Sequence, residues 1–160
     1  MKLRTLTLFC LLLAAASCGI KSPYYQKQEG IPKAAWKSSF QPEFSINITD
    51  TVSPYAFYFL VRHDEAYPNA NLWIRLNVKG PGDSTFRHMS RAEIGLADAE
   101  GKWLGRGMGG IWEHKVALAP AMAPQFKKPG VYHIRIEQIM REDPLPSVLN
   151  VGLNIERRAE

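Results

Sequence analysis

From Phe40 onward, apolar and polar residues alternate with a period of two in short segments, the spacing of half-buried β-strands. In Phe44-Ser45-Ile46-Asn47-Ile48 the three apolar residues share one face. Tyr55 to Val61, opened by Pro54, is apolar on both faces, as suits a strand in the middle of the packing. Asn71 to Val78 alternates again, with Leu72, Ile74, Leu76 and Val78 on one side and Trp73, Arg75 and Asn77 on the other. Tyr132, Ile134 and Ile136 follow the turn Lys128-Pro129-Gly130, and Leu149, Val151, Leu153 and Ile155 continue the pattern. Gly80-Pro81-Gly82-Asp83 reads as a turn. Phe86 to Asp98 offers only a fragment of strand around Ile94 and Leu96. Gly101 to Pro124 reads as irregular, its glycines letting the backbone turn and approach a sheet closely beside Trp103, Met108 and Trp112. Alternating strands between Pro/Gly turns, with almost no helical stretch, predict an all-β fold: an antiparallel β-sandwich, immunoglobulin-like or jelly-roll.

The first residues follow a different pattern. Lys2 and Arg4 precede an apolar run from Leu6 to Ala16, the outline of a secretory signal peptide and too short to cross a bilayer. Ala15-Ala16-Ser17-Cys18 resembles the lipobox of bacterial lipoproteins, with Ala15 where leucine is commonest. The expected organisation is a signal peptide over 1–17, a lipidated N-terminus and tether over 18–38, and the sandwich domain over 39–160. The tether is expected to hold one helical turn around Pro32 to Trp36, and a strand through Tyr24-Tyr25 is its alternative. Covalent lipid on Cys18 then anchors the chain, since two or more acyl chains hold where one is reversible.

Cleavage changes what composition implies. Removing the 17-residue signal from 160 residues leaves 143, the size of one domain with a core that needs no staples. Cys10 departs with the signal and Cys18 carries lipid, so the folded domain has no thiol for a disulfide or a metal. The net charge of +5 loses Lys2 and Arg4, and no basic run supports a nucleic-acid partner.

Three separated stretches carry a resemblance: Tyr67-Pro68-Asn69-Ala70-Asn71-Leu72-Trp73, Asp98 to Gly107, and Met140-Arg141-Glu142-Asp143-Pro144-Leu145-Pro146 with Asn150 to Leu153. Together they resemble the GldH family of gliding-motility lipoproteins, over most of the chain. The resemblance implies a Bacteroidota-type envelope, an outer-membrane lipoprotein, and a structural role beside other gliding-motility proteins and the type IX secretion apparatus. It implies no catalytic activity. The start Gly19-Ile20-Lys21-Ser22 lacks an acidic cluster resembling the surface-export signal of that phylum, so the domain is expected to face the periplasm. Asp50-Thr51-Val52 is similar to the phylum's short O-glycosylation motif, with an unmodified turn as the alternative.

The residues themselves point to contact rather than chemistry. His63, His88, His114 and His133 fall on separate segments with no metal-site spacing, and His63-Asp64-Glu65 and Glu113-His114 read as solvated polar clusters. No nucleophile motif appears, so neither an enzyme nor a metal or other cofactor beyond the lipid is expected. Arg141, Glu142 and Asp143 are the candidate partner contact, because Pro144 and Pro146 stiffen their loop and a stiff loop loses little entropy on binding. Trp73, Trp103 and Trp112 are a candidate aromatic surface for a glycan- or peptidoglycan-binding alternative. Packing of those rings on one another is the competing expectation.

Overall fold

The computed structural model describes residues 24–158; the signal segment and Cys18 lie outside the described residues. In chain order the strands are β1 (Tyr25–Gly30), β2 (Ala35–Trp36), β3 (Glu43–Ile48), β4 (Tyr55–Asp64), β5 (Asn71–Lys79), β6 (Arg87–Gly95), β7 (Arg106–Met108), β8 (Ile111–Ala117), β9 (Gly130–Gln138), β10 (Leu145–Pro146) and β11 (Val148–Arg157). One sheet runs β1-β11-β4-β8-β7 and the other β3-β9-β5-β6, with a short ribbon β10-β2 beside them.

The pairings nest. β1 lies against β11, β3 against β9, β4 against β8 and β5 against β6, all antiparallel. That is a long hairpin rolled across two sheets, so of the two sandwiches the alternation allowed, the chain adopts the jelly-roll. The alternating residues face one another as expected: Phe44, Ile46, Ile48, Leu72, Ile74, Leu76, Ile134, Ile136, Val151 and Leu153 are all buried in a single core. β4 contributes from both faces, with Phe57, Phe59 and Val61 on one side and Leu60 on the other.

Register divides the molecule into two ends. At the near end, where β1 begins, Tyr25 sits beside Ile155, Ile48 beside Gly130, and Tyr58 beside Ala117. At the far end Gly30 sits beside Asn150, Asp64 beside Ile111, and Asn71 beside Gly95. A ten-residue strand such as β11 puts about 30 Å between them.

Three segments depart from expectation. Residues 25–30, expected within the tether, form β1, so the sandwich starts well before residue 39. β1 is an edge strand with no apolar alternation, held by the backbone ladder to β11 and by Asn154 Nδ2 donating to Gln26 Oε1 at 2.7 Å. It rides so close that a Cβ on Gly152 would lie 2.3 Å from the Lys27 carbonyl oxygen, a contact only glycine permits. The expected turn near Pro32 is a 3-10 turn over Pro32–Ala34. Gly101 to Pro124 is not irregular throughout, because Gly109 and Gly110, both at positive φ, close a hairpin between β7 and β8. The sparse signal of Phe86 to Asp98 conceals β6, a strand exposed on one face.

Candidate functional site

The three stretches that carry the family resemblance come together at the far end. Tyr67 to Trp73 leads into β5, Asp98 to Gly107 crosses from β6 to β7, and Met140 to Pro146 links β9 to the ribbon. Their loops are fastened from beneath. Tyr67 is buried and its hydroxyl donates to the Asn71 carbonyl at 2.9 Å. Leu145 and Trp36, both fully buried, pair across the ribbon, and Trp36 Nε1 donates to the Phe40 carbonyl at 2.8 Å.

Between the first and third stretches lies a cleft of about 460 Å³, lined by Asn69, Trp73, Arg91, Ile139, Met140, Arg141 and Glu142. Backbone geometry builds it: the Ile139 N–H donates to the Trp73 carbonyl at 2.9 Å, and Met140 Sδ accepts from the Trp73 N–H at 3.2 Å. Trp73 stands on the outer face of β5, half-buried, and β6 brings Arg91 alongside. Among the described residues Arg91, Arg141 and Glu142 form no ion pair within the protein, unlike Arg75, which lies 3.7 Å from Glu137. An indole face, a thioether, two guanidinium groups and a carboxylate suit recognition of an amphipathic, partly charged surface.

The structure separates the three residues of the candidate contact loop. Arg141 and Glu142 face the cleft. Asp143 is tied to Ser38 at the surface instead: its carboxylate accepts from the Ser38 N–H at 2.9 Å and from the Ser38 hydroxyl, which hold it below the usual carboxylate range. Gln138 Nε2 adds a bond at 3.3 Å to the Glu142 carbonyl. The loop is thus stiffened by bonds beyond its two prolines.

The candidate aromatic surface does not assemble. Trp73 belongs to the four-stranded sheet, while Trp103 and Trp112 belong to the other side of the sandwich, and no two of the three rings stack. Trp103 caps the core, 4.4 Å from the His63 ring and 6.3 Å from Tyr67. Trp112 lies over Gly107, where a Cβ would come within 2.8 Å of the indole. The three rings share no flat platform, and Trp73 is the one that lines the cleft beside Arg141.

His63 and His114, expected in solvated clusters, are buried at the far end of the core. Both lie on the inner face, because His114 pairs with Val61 and His63 continues the Phe57, Phe59, Val61 series. Their Nε2 atoms are 3.0 Å apart, and His63 Nδ1 is 2.8 Å from the Asp64 carbonyl oxygen. A carbonyl only accepts, so Nδ1 of His63 carries the proton, its Nε2 accepts, and His114 donates. Burial pushes both imidazoles down, His114 to about 4 with help from the neighbouring His63. The pair is therefore neutral at pH 7. Among the described residues no group of three or more His, Cys, Asp and Glu side chains is placed to hold a metal ion.

Sequence reasoning picked out Trp73, Arg141 and Glu142 and missed Arg91. Its place in the cleft follows from the β5–β6 pairing, which sets Arg91 opposite Arg75, two residues along the strand from Trp73.

Fold and site together define an antiparallel jelly-roll whose motif-bearing loops gather at one end. A profile of the GldH lipoprotein family matches residues 23–155, and the chain belongs to this family. It is similar to a gliding motility lipoprotein GldH homolog of Christiangramia forsetii, 25% identical with 91% of this chain and 90% of that one covered. It is also similar to the gliding motility lipoprotein GldH of Flavobacterium johnsoniae, 28% identical over 78% of this chain and 79% of the relative. Among solved structures it is similar to a carbohydrate-binding module specific for non-crystalline cellulose, at a TM-score of 0.48 and 11% identity over 84% of this chain and 73% of the module. No ligand is inferred from that likeness.

Proposed function

We propose that this chain is an outer-membrane lipoprotein, held by lipid on Cys18 with its domain in the periplasm, that serves as a structural component of the gliding-motility machinery and the linked type IX secretion apparatus. It acts by contact, without a catalytic step. The observation that carries this reading is that the first and third family-like stretches build the Trp73–Arg141 cleft, while the second lies at the same far end of the domain, away from the start of β1. Both relatives, named for gliding motility, cover most of this chain, which makes the same pathway the natural assignment.

Deleting the gene tests the reading: loss of surface motility together with type IX export supports it, and retention of both refutes it. Cys18→Ala tests the anchor separately. The variant loses acyl labelling and accumulates as uncleaved precursor, because both thioether formation and processing need the thiol; normal labelling refutes attachment at Cys18. Protease treatment of intact cells leaves the domain uncut if it faces the periplasm, and rapid cleavage places it on the surface.

A further inference from the structure

We infer that the near end of the sandwich rests directly on the membrane, with Lys127, Lys128 and Arg158 against the phosphate headgroups of anionic phospholipid and Val52 reaching into the interface. The inference rests on lipid attachment at Cys18. With β1 part of the sheet, only seven residue steps separate Cys18 from Tyr25, and an extended chain spans at most about 3.6 Å per residue. The Tyr25 end of β1 therefore stays within about 25 Å of the Cys18 backbone, whichever way the domain turns. A twenty-residue tether would have imposed no such limit.

The surface held there has the chemistry of an interface. Lys127, Lys128 and Arg158 are exposed and form no ion pair among the described residues, and Arg157 beside them is shared between Asp50 at 3.6 Å and the face of Tyr24. Among the described residues at this end, Glu156 is neutralised by Lys115 at 2.5 Å, and two aspartates are turned into their own loops. Asp50 accepts from the N–H groups of Val52 and Ser53 at 2.9 and 3.0 Å, and Asp83 from that of Gly80 at 2.9 Å. The first of these turns holds Val52 at the loop tip, 90% exposed, where an apolar side chain has no partner in the protein. Behind it Tyr24 and Tyr55 meet edge to face at 5.4 Å, amphipathic rings of the kind that settle at headgroup level. Lysine and arginine near an anionic leaflet are drawn to it within a Debye length, and Val52 adds an apolar contact that salt does not screen.

The lipidated full-length protein provides the test. It carries a single reporter cysteine, Val52→Cys or Glu142→Cys, with a fluorophore attached. Each form is placed in vesicles of phosphatidylethanolamine and phosphatidylglycerol containing a headgroup-labelled quencher lipid. Strong quenching at position 52, little at 142, and loss of most of the quenching at 52 in phosphatidylcholine vesicles or high salt are the expected results. The charge reversal Lys127→Glu/Lys128→Glu/Arg158→Glu acts in the same direction. Acylated protein in which position 52 is quenched no more than 142, or equally in neutral vesicles, overturns the inference. Protein without acyl label refutes the anchor instead, and the same quenching measured on that unacylated chain with anionic vesicles still decides the docking. A glycan found on Thr51 by intact mass would hold this loop off the headgroups and also overturns it.

Discussion

The two ends of the sandwich are closed by the same strands and finished in different ways. At the near end two loops are capped from within, by Asp50 and by Asp83, and Tyr55 donates to the Asp50 carbonyl at 2.7 Å, with the Arg158 N–H reaching the Pro54 carbonyl at 2.9 Å behind them. At the far end distant segments hold one another. Ser38 grips Asp143 across 105 residues, His63 meets His114 across 51, and Trp36 and Leu145 pair beneath the loop that carries Arg141. The near end is a local, basic surface beside the anchor, whereas the far end is a cooperatively fixed scaffold for a cleft. A scaffold fixed by long-range ties presents Arg141 and Glu142 in one geometry, which lowers the ordering cost of binding.

The sharpest way to break this comparison is to remove a far-end fastening. Trp36→Ala empties a fully buried ring site under the contact loop and is expected to cost about 3–5 kcal/mol, read as a lowered denaturant midpoint. Val52→Ala at the near end is expected to change stability by less than about 0.5 kcal/mol, because its side chain touches little. Equal effects would mean that the ends are not built differently.

Acid sharpens the comparison next. His114 is held down to about 4 from an ordinary value of 6.5, so the unfolded chain takes its proton first. The neutral pair's stabilisation is complete above pH 6.5 and is lost as pH falls from there toward 4. Unfolding midpoints measured across that window should fall for the parent and fall less for His114→Gln. Asp143 and Glu43, held below the usual carboxylate range by Ser38 and by Arg135, contribute stability that is lost below the ordinary carboxylate values, so their losses lie at lower pH.

The smallest effect on stability is the most telling for function. Arg141→Ala/Glu142→Ala should shift unfolding by less than about 0.5 kcal/mol and leave acylation intact, yet impair motility and type IX export. Asp143→Ala is the contrast: it releases Ser38 and loosens the loop, so its defect should appear in faster amide exchange of residues 139–143. If the double variant supports full motility, the cleft is not the contact.

Much of this architecture was legible in the sequence, for one reason. Wherever a strand buries one face, as β3, β5 and β9 do, burial imposes alternation, and alternation can be read. β1 was hidden because the backbone ladder to β11 and the space above Gly152 recruit it, and neither depends on its side chains. The β7–β8 hairpin was hidden because Gly105 and Gly107 lie against His114 and Trp112, so close approach replaces an apolar residue there. At the site, Trp73 and Arg141 drew attention separately, one for an aromatic on a polar face and the other for a stiff loop. Their adjacency depends on the Ile139–Trp73 backbone bond, a tertiary fact. The burial of His63 and His114 was misjudged for a related reason: each sits next to a charged residue in the chain, but strand parity turns the imidazole inward and the charge outward.

The most direct test of the account places a photo-activatable cross-linking residue at position 142, and separately at position 52, in living cells. Position 142 is predicted to give discrete adducts with other envelope proteins of the motility and secretion machinery, identified by mass, and position 52 to give lipid adducts alone. Protein adducts from position 52 with none from position 142 would contradict the assignment of the far-end cleft as the contact.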